Sequence, residues 1–247
     1  MIPDARVALV TGGAKRVGRA TVLELARSGH DVAIHFRHAR NEANSLAAEV
    51  IGLGRRAVAV TGDLLEPSSW PAIVEDTVAQ LGRLDVLVNN ASVFLMPQPD
   101  TAEDFDRVQW ESILRVNVVA PMALSHAARP HLEAGGHGAI VNLCDISADR
   151  PWPDHLAYCA SKAALTALTR GLARGLAPGI RVNGIAPGIA VFPEEYPDSL
   201  RKALTDRVPL RRAGSPEEIA RVVRFLIEDA PYVTGQIITI DGGCSLV

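Results

Sequence analysis

Aromatic side chains make up only 4% of this chain, and cysteine occurs just three times. Cys144, Cys159 and Cys244 show neither metal-ligand nor dithiol spacing, which speaks against a disulfide scaffold and a thiolate metal centre. Long apolar runs are also missing, and none approaches the ~20 residues that a bilayer-spanning helix needs. The opening MIPDARVALVTGG lacks the charged head, apolar stretch and small-residue cleavage site of a secretory signal. A reduced, cytoplasmic protein with unpaired thiols is the expectation. Nor is there an excess of one charge: the formal net charge is −3. That balance supplies no general attraction to nucleic acid or an anionic membrane.

What is present is an ordinary globular composition, 48% hydrophobic and 21% charged over 247 residues. Such a length buries a large core within one domain. Short apolar runs alternate with helical periodicity along the whole chain. Strands are expected at 7–10 (VALV), DVAIHF, 57–60 (AVAV), DVLVNN at 85–90, AIVNL at 139–143, IRVNGI at 180–185 and QIITI at 236–240. Helices are expected after Gly18, over 41–51 and 68–81, in two stretches within 103–133 with an irregularity near Pro121, over 157–176, and from Pro216 to about Glu228. This rhythm predicts a single doubly wound Rossmann-type α/β domain over 1–247, with a mostly or wholly parallel seven-stranded sheet. The turn-rich segment 188–212, with Pro193 and Pro197, reads as a substrate-side lid or as a packed surface loop.

The first strand runs into TGGAKRVGRA at 11–20. Gly12 and Gly18 permit the tight turn and close backbone approach that a diphosphate needs at a helix N-terminus, although such a turn also serves as a plain connection. The second strand ends in HFRHAR, where an NAD-selective domain commonly places an acid. Here stand His35, Arg37, His38 and Arg40, with Arg16 in the first loop, a set suited to a 2′-phosphate and hence to NADPH/NADP+. Asp63 and Leu64 follow the third strand as candidate adenine contacts. Asn89 and the backbone after it, through Ser92, follow the fourth as candidate nucleotide lining.

YCASK at 158–162 sets Tyr158 and Lys162 one helical turn apart. A neighbouring ammonium favours phenolate, so this pair is expected to exchange protons near neutral pH; alone, it could equally be an exposed aromatic beside a solvated lysine. Asp145 ends the AIVNL strand thirteen positions earlier, within reach of the same cleft, and Asn117 is a further polar participant. His131, His137 and His155 read as surface residues, and no metal site is expected.

Taken in order, these motifs resemble the short-chain dehydrogenase/reductase family over nearly the whole chain. TGGAKRVG is similar to its cofactor loop, Asp63-Leu64 to its adenine-side residues, and NNAS to the strand end near the cofactor. Asn117 matches its structural or proton-relay asparagine, and Tyr158 and Lys162 its catalytic pair. IAPG, ending in Pro187 and Gly188, resembles its loop beside the nicotinamide, and VTGQIITIDGG its terminal strand. Most members carry serine where this chain has Asp145, whereas pteridine reductases carry aspartate. Arg16, HFRHAR, NNASVF, the triplet LCD and the ending IDGGCSLV extend that second resemblance.

The pteridine reductase branch implies that Arg16 lies near cofactor phosphate and pterin, that Ser92 contacts the ligand, and that Phe94 stacks on the pterin opposite the nicotinamide. It implies hydride transfer to an electron-poor ring carbon, with Tyr158 donating a proton, Lys162 assisting, and Asp145 holding Tyr158 or joining the relay. It also implies a homo-oligomer, plausibly a homotetramer. The chain departs from the branch at Arg37-His38-Ala39, where His-Arg-Ser is common, and at Ala190, often serine. The alternatives are an NADPH-dependent carbonyl or 3-oxoacyl reductase, with the same Tyr-Lys chemistry, and a nonenzymatic NADPH-binding sensor.

Overall fold

Strand β1 (Val7–Val10) shows why the apolar runs are continuous rather than alternating. Val7 and Leu9 enter one apolar core while Ala8 and Val10 enter another, because successive side chains of a strand point to opposite faces. A sheet covered on both faces therefore needs hydrophobic residues at every position. The computed structural model describes residues 5–95, 106–192 and 196–247.

The chain continues through α1 (Arg16–Arg27), β2 (Asp31–Phe36), α2 (Arg40–Gly52), β3 (Ala57–Thr61), α3 (Ser69–Leu81) and β4 (Val86–Asn89). It then forms α4 (Arg107–Leu114), a π-helical turn (Arg115–Val119), α5 (Ala120–Ala134), β5 (Gly138–Leu143) and α6 (Leu156–Gly175). β6 (Ile180–Pro187), α7 (Asp198–Arg207), α8 (Pro216–Glu228) and β7 (Ile237–Ile240) complete it. The seven strands form one sheet in the order β3-β2-β1-β4-β5-β6-β7, and every pairing is parallel. Helices α1, α2 and α8 bury residues such as Val22, Leu46 and Val223 on one face. Helices α3, α5 and α6 bury Ile73, Leu124 and Leu172 on the other. The chain winds outward from β1 to β3 and then returns to place β4 beside β1. That reversal opens a crevice at the carboxyl ends of β1 and β4, where doubly wound sheets bind ligands.

Two elements differ from expectation. The irregularity foreseen near Pro121 is the π-helical turn just before it, centred on Asn117. Segment 188–212 contains α7, which the sequence pattern did not reveal. None of the α7 residues is buried, so no apolar stripe exists for periodicity to detect. Residues 193–195 of that segment, the start of the helical stretch expected from 103, and the first four residues lie outside the described residues. No helix among the described residues is long and apolar enough to cross a membrane.

Candidate active site

The glycine loop is shaped by what cannot fit in it. Gly12 adopts φ +60°, a conformation that favours glycine. A Cβ on Gly18 would sit 2.2 Å from the Gly12 carbonyl oxygen and 2.7 Å from Asn90 Nδ2. The loop is tied to β4 by Asn90, whose Nδ2 donates to the carbonyls of Thr11 (2.8 Å) and Gly12 (3.1 Å). Thr11 Oγ1 accepts from the backbone N–H groups of Asn90 (2.9 Å) and Ala91 (3.0 Å). The result is a side-chain-free cradle at the start of α1, which fits the diphosphate of a dinucleotide.

Three residues proposed from sequence as nucleotide contacts point elsewhere. His35 is 2% exposed. Its Nδ1 accepts from Gly12 N–H (3.2 Å), so Nε2 carries the proton and donates to the Gly62 carbonyl (3.1 Å). Burial depresses its pKa to about 4, leaving it neutral. His35 thus props the glycine loop from beneath instead of meeting a 2′-phosphate. Asn89 shares the strand face of Leu87 and points into the core. Its amide donates to Asn142 Oδ1 (2.8 Å), and Asn142 Nδ2 donates to Thr169 Oγ1 (2.9 Å), a polar ladder across to α6. Asn90, which sequence reasoning passed over, has the loop-facing role. Leu64 is 5% exposed, and its side chain packs in the core with Val60 and Ile73.

The basic end of β2 remains open. Arg37, His38, Arg40 and Arg16 are all exposed. Arg16 begins α1 with φ +51°, and the Arg40 guanidinium lies 5.4 Å from the Phe36 ring centroid. Arg37 faces Asp63 at 3.8 Å, and Asp63 Oδ1 also accepts from Leu65 N–H (2.9 Å).

At the chemical end, Asp145 leaves β5 and caps a short 3₁₀ turn, its Oδ1 accepting from Ser147 N–H (2.8 Å). Its Oδ2 accepts the Tyr158 hydroxyl proton at 2.8 Å. Lys162 Nζ donates to the Leu143 carbonyl (2.8 Å) and lies 5.4 Å from the Tyr158 ring centroid. Sequence spacing suggested that Lys162 would draw Tyr158 toward phenolate. The structure reverses that expectation: burial, then the Asp145 charge and hydrogen bond, hold the phenol's pKa well above its usual value. Burial lowers that of Lys162. Tyr158 is therefore a resident protonated group.

Asn117, in the π-helical turn, is 1% exposed. Its Oδ1 accepts from Ser92 Oγ (3.2 Å) and Val93 N–H (2.8 Å), while Nδ2 donates to Val93 O (3.1 Å) and Ser161 Oγ (3.0 Å). These bonds clip the Ser92–Phe94 loop to α6, a positioning arrangement that matches the structural one of the two roles expected for Asn117. The π turn supplies the local offset that brings its amide to both partners.

That clip delivers Phe94 to the phenol. Its ring centroid is 4.9 Å from that of Tyr158, edge to face, and 4.6 Å from His155. Trp152 stacks parallel to Tyr158 at 6.2 Å. His155 remains partly exposed while its ring meets Phe94, and Trp152 joins the site without sequence forewarning. Their signal was PWPDH, two residues before YCASK, with a tryptophan between two prolines. On the far side, Gly188 donates its N–H to Ile240 O (2.9 Å), and a Cβ there would meet Asp241 Cβ at 2.7 Å. This close approach places the Pro187–Gly188 turn at the end of β7. Among the described residues no His, Cys, Asp and Glu group could hold a metal.

A doubly wound sheet with this cradle and a buried Tyr-Lys pair defines a nucleotide-dependent oxidoreductase. Residues 12–245 match the family profile described as enoyl-(acyl carrier protein) reductase. The chain belongs to the short-chain dehydrogenase/reductase family, whose members use NAD(P). It is 34% identical to a protein of Streptomyces violaceoruber named as a granaticin polyketide synthase ketoacyl reductase, over 99% of this chain and 98% of the relative. It is 32% identical to the 3-oxoacyl-(acyl-carrier-protein) reductase FabG of Staphylococcus aureus, over 96% of each. Among solved structures, a blue fluorescent protein from a metagenomic library in complex with NADPH superposes with a TM-score of 0.90 at 35% identity, covering 98% of each chain.

Proposed function

We propose that this protein is an NADPH-dependent pteridine reductase. The observation that carries the reading is the Tyr158–Asp145 hydrogen bond beneath the Phe94 ring. A carboxylate at this position keeps the phenol protonated and offers an acceptor to the amino and imino groups of a pterin. Phe94 offers a flat apolar face to the same ring. The exposed Arg16, Arg37, His38 and Arg40 around the cradle support NADPH over NADH.

The bound nicotinamide supplies a hydride from C4 to an electron-poor ring carbon. Tyr158 turns its hydroxyl from Asp145 to the adjacent ring nitrogen and releases its proton there. The buried Lys162 ammonium, 5.4 Å from the phenol ring, offsets the phenolate that remains. A proton from solvent water restores the phenol, which donates again to Asp145, and Ser92, held through Asn117, lines the ring edge. A homo-oligomer, as the family resemblance implies, is part of this reading; exposed Val108, Val119 and Met122 on the α4–α5 side support an assembly face.

A second reading, reduction of a 3-oxoacyl group, is favoured by the names of the ketoacyl and 3-oxoacyl reductase relatives. Tyr158 would then protonate a carbonyl oxygen. NADPH oxidation measured with biopterin, dihydrobiopterin, dihydrofolate and acetoacetyl-CoA separates the two. Turnover of acetoacetyl-CoA with none of the pterins would replace the first reading by the second. NADPH binding without any turnover would support a sensor.

A further inference from the structure

The acid that the reaction uses is enclosed by rings, in a chain that is only 4% aromatic. Trp152 lies parallel to Tyr158, with an interplanar angle of 11° and a centroid distance of 6.2 Å. It meets Phe94 at 6.5 Å and 89°, and His155 at 5.9 Å and 75°, both edge to face. His155 in turn lies against Phe94 at 4.6 Å. Phe94 and Trp152 thus each contact the other three rings of one wall beside the reacting hydroxyl.

Trp152 is the exposed member, with 37% of its surface accessible. Pro151 and Pro153 restrict the backbone on either side of this exposed indole, and the Trp152 backbone N–H donates to the Cys159 thiol sulfur over 3.3 Å. Cys159 is buried and adjacent to Tyr158, so the main chain that carries the indole is registered to the first turn of α6, while the ring itself rests on Phe94, His155 and Tyr158. A large aromatic surface on a restrained backbone, open to solvent at a site, is suited to a flat ligand.

We propose that Trp152 is a specificity-determining residue, which selects planar bicyclic substrates over linear acyl thioesters at the Tyr158 site. The inference deepens the pteridine reductase reading by naming the surface that discriminates. It does not depend on the pterin itself, because any fused planar ring gains the same contact. His155 serves as a positioning residue, which holds Phe94 at its angle to Trp152. A flexible acyl chain gains little from stacking, so the wall confers no comparable advantage on it.

The test compares wild type, Trp152→Ala and Trp152→Phe in NADPH oxidation with biopterin, with isatin as a planar bicyclic carbonyl, and with acetoacetyl-CoA. NADPH affinity is measured in parallel by fluorescence titration. Trp152→Ala is expected to lower kcat/KM for the planar substrates about 5-fold, chiefly through KM, and Trp152→Phe to restore most of it. NADPH affinity and acetoacetyl-CoA turnover are expected to change less than about 2-fold. If isatin but not biopterin is reduced, the pterin reading fails, and the Trp152 proposal stands or falls on the isatin ratio. Equal losses on planar and linear substrates, equal losses in both variants, or turnover of acetoacetyl-CoA alone by wild type each overturn it.

Discussion

The Tyr158 hydroxyl donates to Asp145 Oδ2 over 2.8 Å, and this contact joins the end of β5 to the first turn of α6. Asp145 raises the pKa of Tyr158, and its charge also raises that of Lys162 against the lowering effect of burial. One carboxylate therefore favours the protonated form of two neighbours, adding to the effect of burial at Tyr158 and opposing it at Lys162.

Replacing that carboxylate moves both neighbours in one direction. In Asp145→Ser, Tyr158 and Lys162 both lose their protons at lower pH, so the alkaline limb of the kcat profile shifts to lower pH. Tyr158→Phe is expected to bind NADPH normally and lose at least about 100-fold in reduction of an oxidised pterin, the lower end of a general-acid contribution. An unmoved alkaline limb in Asp145→Ser would count against control of the site by this contact.

The glycine cradle admits no side chain. Gly18→Ala drives a methyl into the Gly12 carbonyl oxygen and the Asn90 amide, both within 2.7 Å of the added carbon. NADPH affinity is expected to fall by about 10-fold or more, because the loop and the Asn90 tie must shift together. Gly171→Ala meets nothing within 4 Å and serves as the control. Equal NADPH affinity for Gly18→Ala and wild type, by calorimetric titration, contradicts the close-approach assignment.

His35 makes stability pH-dependent with a definite sign. Its folded pKa, about 4, lies below the ordinary 6.5, so the unfolded chain binds more protons between those values. Stability contributed by neutral His35 is complete above pH 6.5 and is lost as the pH falls toward 4. The full loss is about 3 kcal/mol. The lowered pKa of buried His30 acts with the same sign. In the folded protein His35 takes up its proton only near pH 4, which removes the Nδ1 acceptor of Gly12 N–H, so NADPH affinity should hold down to about that pH and weaken below it. Urea denaturation at pH 7.0 and 4.5 should show a much smaller difference for His35→Gln than for wild type.

In the proposed reading, the open basic groups set the choice of cofactor. Arg37→Ala and Arg16→Ala are each expected to raise the NADPH dissociation constant about 10-fold and leave that for NADH nearly unchanged. Arg37 carries a second consequence: its loss frees Asp63 from a counter-charge 3.8 Å away, which further disfavours the 2′-phosphate. Parallel weakening of both cofactors would place these arginines on the shared diphosphate.

Much of this protein is legible without coordinates. The continuous apolar strands, the helices between them and the parallel winding follow from periodicity, because a sheet covered on both faces leaves no choice of residue there. Gly12, Gly18 and the Tyr158–Lys162 spacing follow from steric and helical geometry within one short stretch of chain. Helix α7 escaped because it buries nothing, so its sequence carries no stripe.

Local pattern along the chain dictates the set of elements and the spacing of the groups they carry. Tertiary structure decided which neighbour each polar side chain meets. Strand parity sent Asn89 into the core and left Asn90 to hold the glycine loop. The β2–β3 pairing buried His35 beneath Gly12, away from the 2′-phosphate it had been expected to meet, and made it neutral. Contacts between residues far apart in the chain set Asp145, rather than Lys162, in control of the phenol, and joined Phe94 to Trp152 and His155. Local periodicity fixes which way a segment faces. Burial, charge and ring contact depend on what the rest of the chain places opposite it, and that is decided only when the layers close.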